Sequence, residues 1–484
     1  MRNVGLIVLD TVRKDYFDEY APRLQALSDT SMAQCRAASS WSTPSHTSLF
    51  TGELPSEHGV HSESFDASFD FDQFDVDDTF LGDLSDHRTI GLSANSYINT
   101  TFGFDSLFDE FYDFSIGSHT NETLFTDGMV VQEYMKSTDE PSAAKRYLGF
   151  LKACAEHDKP LKSVANGVWS QVGHTVKDLP VPEVVDDGAS NITKTATERA
   201  TAADDSVFFF ANLMDAHTPL RNLLQYDQSL HSVPNDWSSR KLDKWELNKE
   251  EAATPEYTEN YRQLYAASID YLDRVVSQFV VELMAKSDEE WTFVVISDHG
   301  HNLGYDADDG LFHHTGSMSE GIQHTPCEII NAPDGSASEI TDYVSHIHLT
   351  DLIPKLAADE PIPEEFGHDH VVAETIGLLG HGDRTWGHEF SEADHAFWNR
   401  MIRVAYENET KLEWDSLGEC VEYELDADRP SWQREVATHS GPPPEVTALF
   451  DTSLEEYKSA AAADEQDMEF DDGVEDQLKE LGYL

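Results

Sequence analysis

Positive charge is what this chain has least of. Lys and Arg number 32 against 92 Asp and Glu, for a formal net charge of -60. Nucleic acid and anionic membrane surfaces are held by clustered basic side chains, so neither is an expected partner. Cysteine is scarce as well. Cys35, Cys154, Cys327 and Cys420 lie far apart with no C-x-x-C pair, which excludes zinc-knuckle and dithiol redox motifs and leaves buried free thiols. Long apolar runs are also missing: no stretch reaches the roughly 18 to 20 apolar residues of a membrane span. The opening "MRNVGLIVLD" holds an apolar run of about six residues, too short for the core of a secretory signal. It reads as a first buried strand, in a protein expected to be soluble, cytoplasmic and free of membrane insertion.

What is present is apolar substance. With 39% hydrophobic and 11% aromatic residues the chain is too apolar for disorder, and 484 residues suffice for a large core and two or more folding units. The carboxylates are spread through every segment, so the whole surface is anionic. In molar salt the Debye length falls to about 3 Å and that self-repulsion is screened; the composition is the one expected of a halophile protein.

Several short apolar runs end in chemically capable residues: "VGLIVLD" at Asp10, "TIGLSANS" around Asn95, "VFFFANLMDAH" near His217 and "WTFVVISDHGH" at His299. Continuous runs suit strands buried on both faces, which implies an α/β fold with a mixed, mainly parallel sheet flanked by helices. In such sheets ligands gather at the carboxyl ends of strands, so these polar residues should converge. Apolar spacing of three or four predicts helices at 21–31, from 254 and from 349, and a helical insertion at 115–205 that carries "SAAKRYLGFLKACAEH" and a Pro/Val/Asp loop. Residues 1–375 form the expected catalytic unit. Residues 376–484 form a smaller one, with antiparallel strands in "RMIRVAYENETKLEWD" and "ECVEYELDAD", a linker at 459–473 and a last helix in "DGVEDQLKELGYL".

The stretch "SSWSTPSHTSLFTG" crowds hydroxyls around a proline and a histidine. Such clusters are usually turns, because their side chains bond nearby backbone. Asp10, Asp298 and His299 invite a metal reading, since hard divalent cations take carboxylate oxygens and imidazole widens the choice. Taken singly, a strand-end Asp serves equally well as a helix cap, and "DHG" as an ordinary turn.

Read in order, "LIVLDTVRKD", "WSTPSHTSLFTGELPSEHGV", "FFFANLMDAHTPL", "TFVVISDHGHNLG" and "HTGSMSEGIQHTPCEIINAPDG" resemble the sulfatases of the alkaline phosphatase superfamily. "TFGFDSLFDEF", "YAASIDYLDRVV", "HLTDLIPKLAAD", "YELDADRP" and "LKELGYL" extend the likeness over almost the full length. The resemblance implies an alkaline-phosphatase-like sheet with a smaller C-terminal antiparallel subdomain. It also implies a covalent mechanism with Ser42 as nucleophile, first in a C/S-x-P-S-R motif that here reads Ser42 to His46. One divalent ion (Ca, Mg or Mn) is implied on Asp10, Asp298, His299 and the Ser42 oxygen. His217 is implied at the ester or its leaving oxygen, and His314, His46 and Arg13 at the anionic substrate, with Thr11 beside the first ligand. The implied substrate is a small-molecule or glycan sulfate ester; the oligomeric state is not legible.

Two departures qualify this. The family residue converted to formylglycine needs an arginine four positions on, and His46 stands there, which speaks against modification of Ser42. Thr11 replaces a second Asp, and the shell of Asp10, Ser42, Asp298 and His299 looks like that of phosphonate monoester hydrolases and phosphoglycol transferases. A plain serine ester is released by attack at sulfur or phosphorus, and phosphorus accepts it more readily. Phosphodiesters, phosphonate monoesters and phosphoryl transfer are therefore the alternative activities.

Overall fold

The computed structural model describes residues 1–61, 69–115, 125, 128–129, 131, 134, 137–138, 143–177, 181–203, 205–314, 316–377 and 387–461. The opening apolar run is β1 (Asn3–Leu9), the centre of an eight-stranded sheet. Its other strands are β2 (Ser28–Arg36), β3 (His87–Ser93), β4 (Glu110–Asp113), β5 (Ser206–Leu213), β6 (Trp291–Ile296), β9 (Cys327–Ile330) and β10 (Glu339–Ser345), after a small ribbon of β7 (Asn302–Leu303) and β8 (Phe312–His313). The order is β10-β2-β9-β6-β1-β5-β3-β4. Only β9 runs antiparallel to its neighbours; the remaining pairs are parallel.

Two faces of β1 feed two apolar layers. Ile7 and Leu9 pack with Leu264, Tyr265 and Leu272 of the long helix Pro255–Lys286. Val4, Leu6 and Val8 pack with Leu49 and Phe50 of the helix Ser42–Thr51 and with Leu352 and Ile353 of the helix Leu349–Ala357. The long helix begins where its sequence asks it to, with the Thr254 side chain accepting from the Tyr257 amide at 3.1 Å and proline in the first turn.

Gly5 exists because of its neighbours' rings: a Cβ there would meet the Phe209 ring at 2.4 Å and the Phe293 ring at 2.9 Å. Gly5→Ala is therefore expected to lower stability by about 1–3 kcal/mol through overpacking, read as a lower thermal midpoint with unchanged secondary structure.

The expected helix at 21–31 is shorter than its pattern. It spans Pro22–Leu27, and from Ser28 the chain is already β2, paired to β9 and β10. Tertiary pairing overrides local propensity there. Between positions 115 and 205 the described helices are Ala143–Glu156, Pro160–Lys177 and Ala189–Ala200; Ile192 and Ala196 of the last lie in the main core.

The second sheet is a five-stranded antiparallel meander, β11 (His370–Ile376), β12 (Met401–Glu407), β13 (Thr410–Asp415), β14 (Cys420–Leu425) and β15 (Gln433–Thr438). Its first strand starts ahead of position 376 and braces the loop before Ser42. The Glu374 amide donates to the Ala38 carbonyl at 3.1 Å, Ser40 Oγ donates to Thr375 Oγ1 at 3.0 Å, and buried Glu374 pairs with buried Arg403 at 2.8 Å. All four cysteines are free and buried. The last helix and nearly all of the linker expected after position 459 lie outside the described residues. Among the described residues no helix is long and apolar enough to cross a membrane.

Candidate active site

Parallel register brings the site together. Val8 of β1 is level with Ile296 of β6 and Asn212 of β5, and Asn212 is level with Ser93 of β3. Two residues beyond each of Val8, Ile296 and Ser93 stand Asp10, Asp298 and Asn95, all at one edge and all buried. Asp10, Asp298 and His299 each offer a ligand atom, and these atoms lie within 4.8 Å of one another; among the described residues no other group of three or more His, Cys, Asp or Glu comes so close.

Ser42 is the first residue of its helix, after Trp41 in extended backbone, so its hydroxyl sits where the partial positive charge of a helix start favours a developing anion. Ser42 Oγ lies 3.5 Å from Asp10 Oδ2 and 3.5 Å from His299 Nε2. The Asn95 side-chain amide bridges the pair, donating to Asp10 Oδ2 at 2.7 Å and to Ser42 Oγ at 3.0 Å.

The chain reaches this geometry through a strained turn. Thr11 has φ +62°, a left-handed conformation costly for a β-branched residue. Its amide donates to Asp298 Oδ1 at 3.2 Å, and its carbonyl accepts from the Tyr265 hydroxyl at 2.6 Å, which in turn accepts from the Arg13 amide at 2.9 Å.

The donor set fits a divalent cation. Asp10 Oδ1 and Asp298 Oδ2 are buried oxygens that accept no hydrogen bond, an arrangement that is costly without a positive partner. His299 Nδ1–H donates to the Gly300 carbonyl at 2.8 Å, which leaves the Nε2 lone pair turned toward the carboxylates. Burial, then Asp298, push the Asp10 carboxyl well above its ordinary range, more than the Asn95 and Asn212 amides pull it back. Burial raises Asp298 too, but His299, His46 and the Thr11 amide outweigh it and hold that carboxyl low. Two carboxylates so close cannot share a dry site in the charged form without a cation.

The sulfatase family model matches residues 2–358, most of the chain. The chain belongs to the sulfatase family. No curated protein sequence is matched. Solved structures give the fold: the phosphonate monoester hydrolase SpPMH from Silicibacter pomeroyi is 14% identical, with 96% of each chain covered and a TM-score of 0.55. The phosphonate monoester hydrolase of Agrobacterium radiobacter is 15% identical, covering 96% of this chain and 95% of its own, at 0.55. BT4656 in complex with its substrate D-glucosamine-2-N,6-O-disulfate is 13% identical, covering 99% and 98%, at 0.54.

Within this sulfatase-family chain the other expected site residues fall into two groups. His217 and His314 are near the cluster: the His314 ring is 4.6 Å from that of His299 and 5.9 Å from that of His217. His217 Nδ1–H donates to the Thr218 carbonyl at 2.5 Å, and burial pulls its imidazole down to about 4. His46 and Arg13 are employed otherwise. His46 Nδ1–H donates to the Ser42 carbonyl at 2.8 Å, and its Nε2 accepts from the Asn212 amide at 3.1 Å, so this neutral ring ties the nucleophile's helix to β5. The buried Arg13 guanidinium is taken up by Asp15, by Asp308 and by the His301 carbonyl.

Asn95 is among the run-end residues expected to converge but carries no assigned role in the sequence, and Asn212, inside the next apolar run, carries neither, although the strand-end rule that selects Asp10 reaches both. His301, whose Nε2 is 2.7 Å from the Tyr261 hydroxyl, and His313, whose Nδ1 is 3.4 Å from Thr218 Oγ1, also join the histidine group.

Proposed function

We propose that the chain is a metal-dependent hydrolase of anionic esters, with sulfate monoesters as its first substrate class and Ser42, or formylglycine derived from it, as the nucleophile. The observation that carries this reading is the placement of one buried hydroxyl 3.5 Å from both a carboxylate and an imidazole of a cation-ready cluster. A divalent ion held by Asp10, Asp298, His299 and Ser42 Oγ would lower the hydroxyl's pKa and offset charge on the ester oxygens.

The protein's own groups do the rest. Asn95 orients Ser42 Oγ, and the helix start behind it favours the alkoxide. In-line attack forms the bond from Oγ to sulfur or phosphorus while the bond to the alcohol oxygen breaks, and the hydroxyl proton leaves toward Asp10 Oδ2, 3.5 Å from Oγ. His217 is pinned through Nδ1, so Nε2 is the atom that hands a proton to the leaving oxygen. That role requires the imidazolium, which burial disfavours and a bound anionic ester favours. His314 lies on the same side and serves the ester oxygens. Water then releases the anion from Ser42.

A second reading rests on His46. Both of its ring nitrogens are bonded within the protein, so it does not replace the arginine that accompanies formylglycine in the family. An unmodified Ser42 suits phosphodiesters and phosphonate monoesters, because phosphorus accepts the second attack more readily.

The test offers aryl sulfate, aryl phosphate, bis-aryl phosphate and an aryl phosphonate to the protein in molar salt with calcium, magnesium or manganese. Turnover that a chelator abolishes is expected on at least one of them; none with any metal overturns the proposal. Intact mass of the Ser42 peptide separates the readings. A peptide two hydrogens lighter than serine fixes the sulfate reading, and an unaltered peptide with faster cleavage of the phosphorus esters fixes the second.

A further inference from the structure

The mean charge conceals one local reversal. The stretch from Ala143 to Lys177 carries six basic residues, Lys145, Arg146, Lys152, Lys159, Lys162 and Lys177, against two acidic ones, Glu156 and Asp158. In a chain with almost three carboxylates for every base, this is an island of positive charge. It is also two helices, of 14 and 18 residues, joined by a short acidic and basic turn. They pack on each other through a buried strip: Phe150 lies against Gly167, where a Cβ would meet its ring at 2.3 Å, and Cys154, Ser163 and Asn166 are buried beside it.

The outward faces carry apolar side chains among the charged ones. Leu161 is 85% exposed, Leu148 65% and Val168 50%, with Tyr147 and Val164 also exposed. Leu161, Val164 and Val168 recur at the spacing of one helix stripe, as Tyr147 and Leu148 do one turn before Leu151. Scattered exposed apolar residues are ordinary; apolar stripes interleaved with Lys and Arg on an otherwise acidic protein are not.

We propose that this helical hairpin docks on an anionic phospholipid bilayer surface. Each half of its chemistry selects the occupant. Lys145, Arg146 and Lys159, with Lys152 beside Glu156 at 3.9 Å, match lipid phosphates, and leucine, valine and tyrosine at helical spacing find an apolar medium just beneath those phosphates. A sulfated polysaccharide or the acidic face of a second copy would satisfy the charge and leave the apolar stripes in water. None of the residues in the candidate active site lies in the hairpin, so attachment there leaves the site's own side chains untouched. For this one segment the proposal departs from the expectation that anionic membranes are poor partners, which was drawn from average composition.

The test floats the full chain with vesicles of phosphatidylglycerol or of phosphatidylcholine, in the lowest potassium chloride at which its circular dichroism is unchanged. At least tenfold more protein is expected on phosphatidylglycerol. Combining Lys145→Glu, Lys152→Glu and Lys159→Glu should erase that preference, and combining Leu148→Glu, Leu161→Glu and Val168→Glu should cut recovery on phosphatidylglycerol at least tenfold, each with the wild-type thermal midpoint. Equal recovery on the two lipids, or recovery that neither set of substitutions changes, overturns the proposal. So does retention on a sulfated-polysaccharide resin without vesicle binding. A wild-type oligomer that the Leu161→Glu change dissociates, again without vesicle binding, would assign the face to a second copy and overturn it as well.

Discussion

Ser42→Ala is expected to lower kcat/KM on the best ester substrate by at least about a thousandfold while leaving the protein folded. The change removes one oxygen and almost nothing else. Ser42 is the first residue of its helix and not the cap, so no capping bond is lost, and alanine is an excellent helix former. Asn95 keeps Asp10 as an acceptor at 2.7 Å, and His46 keeps the Ser42 carbonyl. Asp10, Asp298 and His299 remain, so manganese should still raise the thermal midpoint of the variant. Wild-type turnover by Ser42→Ala would end the nucleophile assignment. Loss of turnover together with loss of the metal's stabilising effect would show that the hydroxyl matters chiefly as a ligand.

Asp10→Asn is expected to have opposite effects on activity and on the stability of the metal-free protein. Asp10 Oδ2 already receives two amide donors, from Asn95 at 2.7 Å and from Asn212 at 3.3 Å, and an asparagine carbonyl can occupy that position. Its new NH2 group would face the buried oxygens of Asp298. The substitution thus removes, without changing shape, a buried carboxyl that must either take up a proton or face the charge of Asp298. In chelator the variant should be more stable than wild type by about 1–3 kcal/mol, seen as a higher denaturation midpoint. Adding manganese should reverse the order, because the ion stabilises only the protein with the complete site, and turnover should fall by at least about a hundredfold. A variant less stable than wild type in chelator would mean that Asp10 is satisfied without a cation.

The sequence revealed strands better than it revealed their partners. β1, β5 and β6 are apolar over most of their length because both faces are covered, and that pattern needs no neighbour to be read. β2, by contrast, has the mixed polarity of "SDTSMAQCR"; it is a strand because β9 and β10 supply its ladder, and that information lies some 300 residues away. The same holds within the candidate site. Asp10, Asp298 and His299 stood out because a carboxylate or imidazole at a strand end is chemically conspicuous. Asn95 and Asn212 make their contacts through amides, a residue type that surface turns use freely, so only the parallel register gives them meaning. Arg13 is the converse: its position beside the first ligand suggested the substrate, but Asp308 and Asp15 claim its charge.

The turn at Thr11 has a consequence for motion. A residue held in a backbone shape it would not choose, at about 1–3 kcal/mol, stays there only while its tethers last, and the one at its carbonyl comes from the Tyr265 hydroxyl, in the first third of the long helix. Helix and first ligand are thus a single latch. Slackening the helix around Tyr265 lets Thr11 spring back and swing Asp10 off its mark, so amide exchange at position 11 should keep time with exchange around position 265.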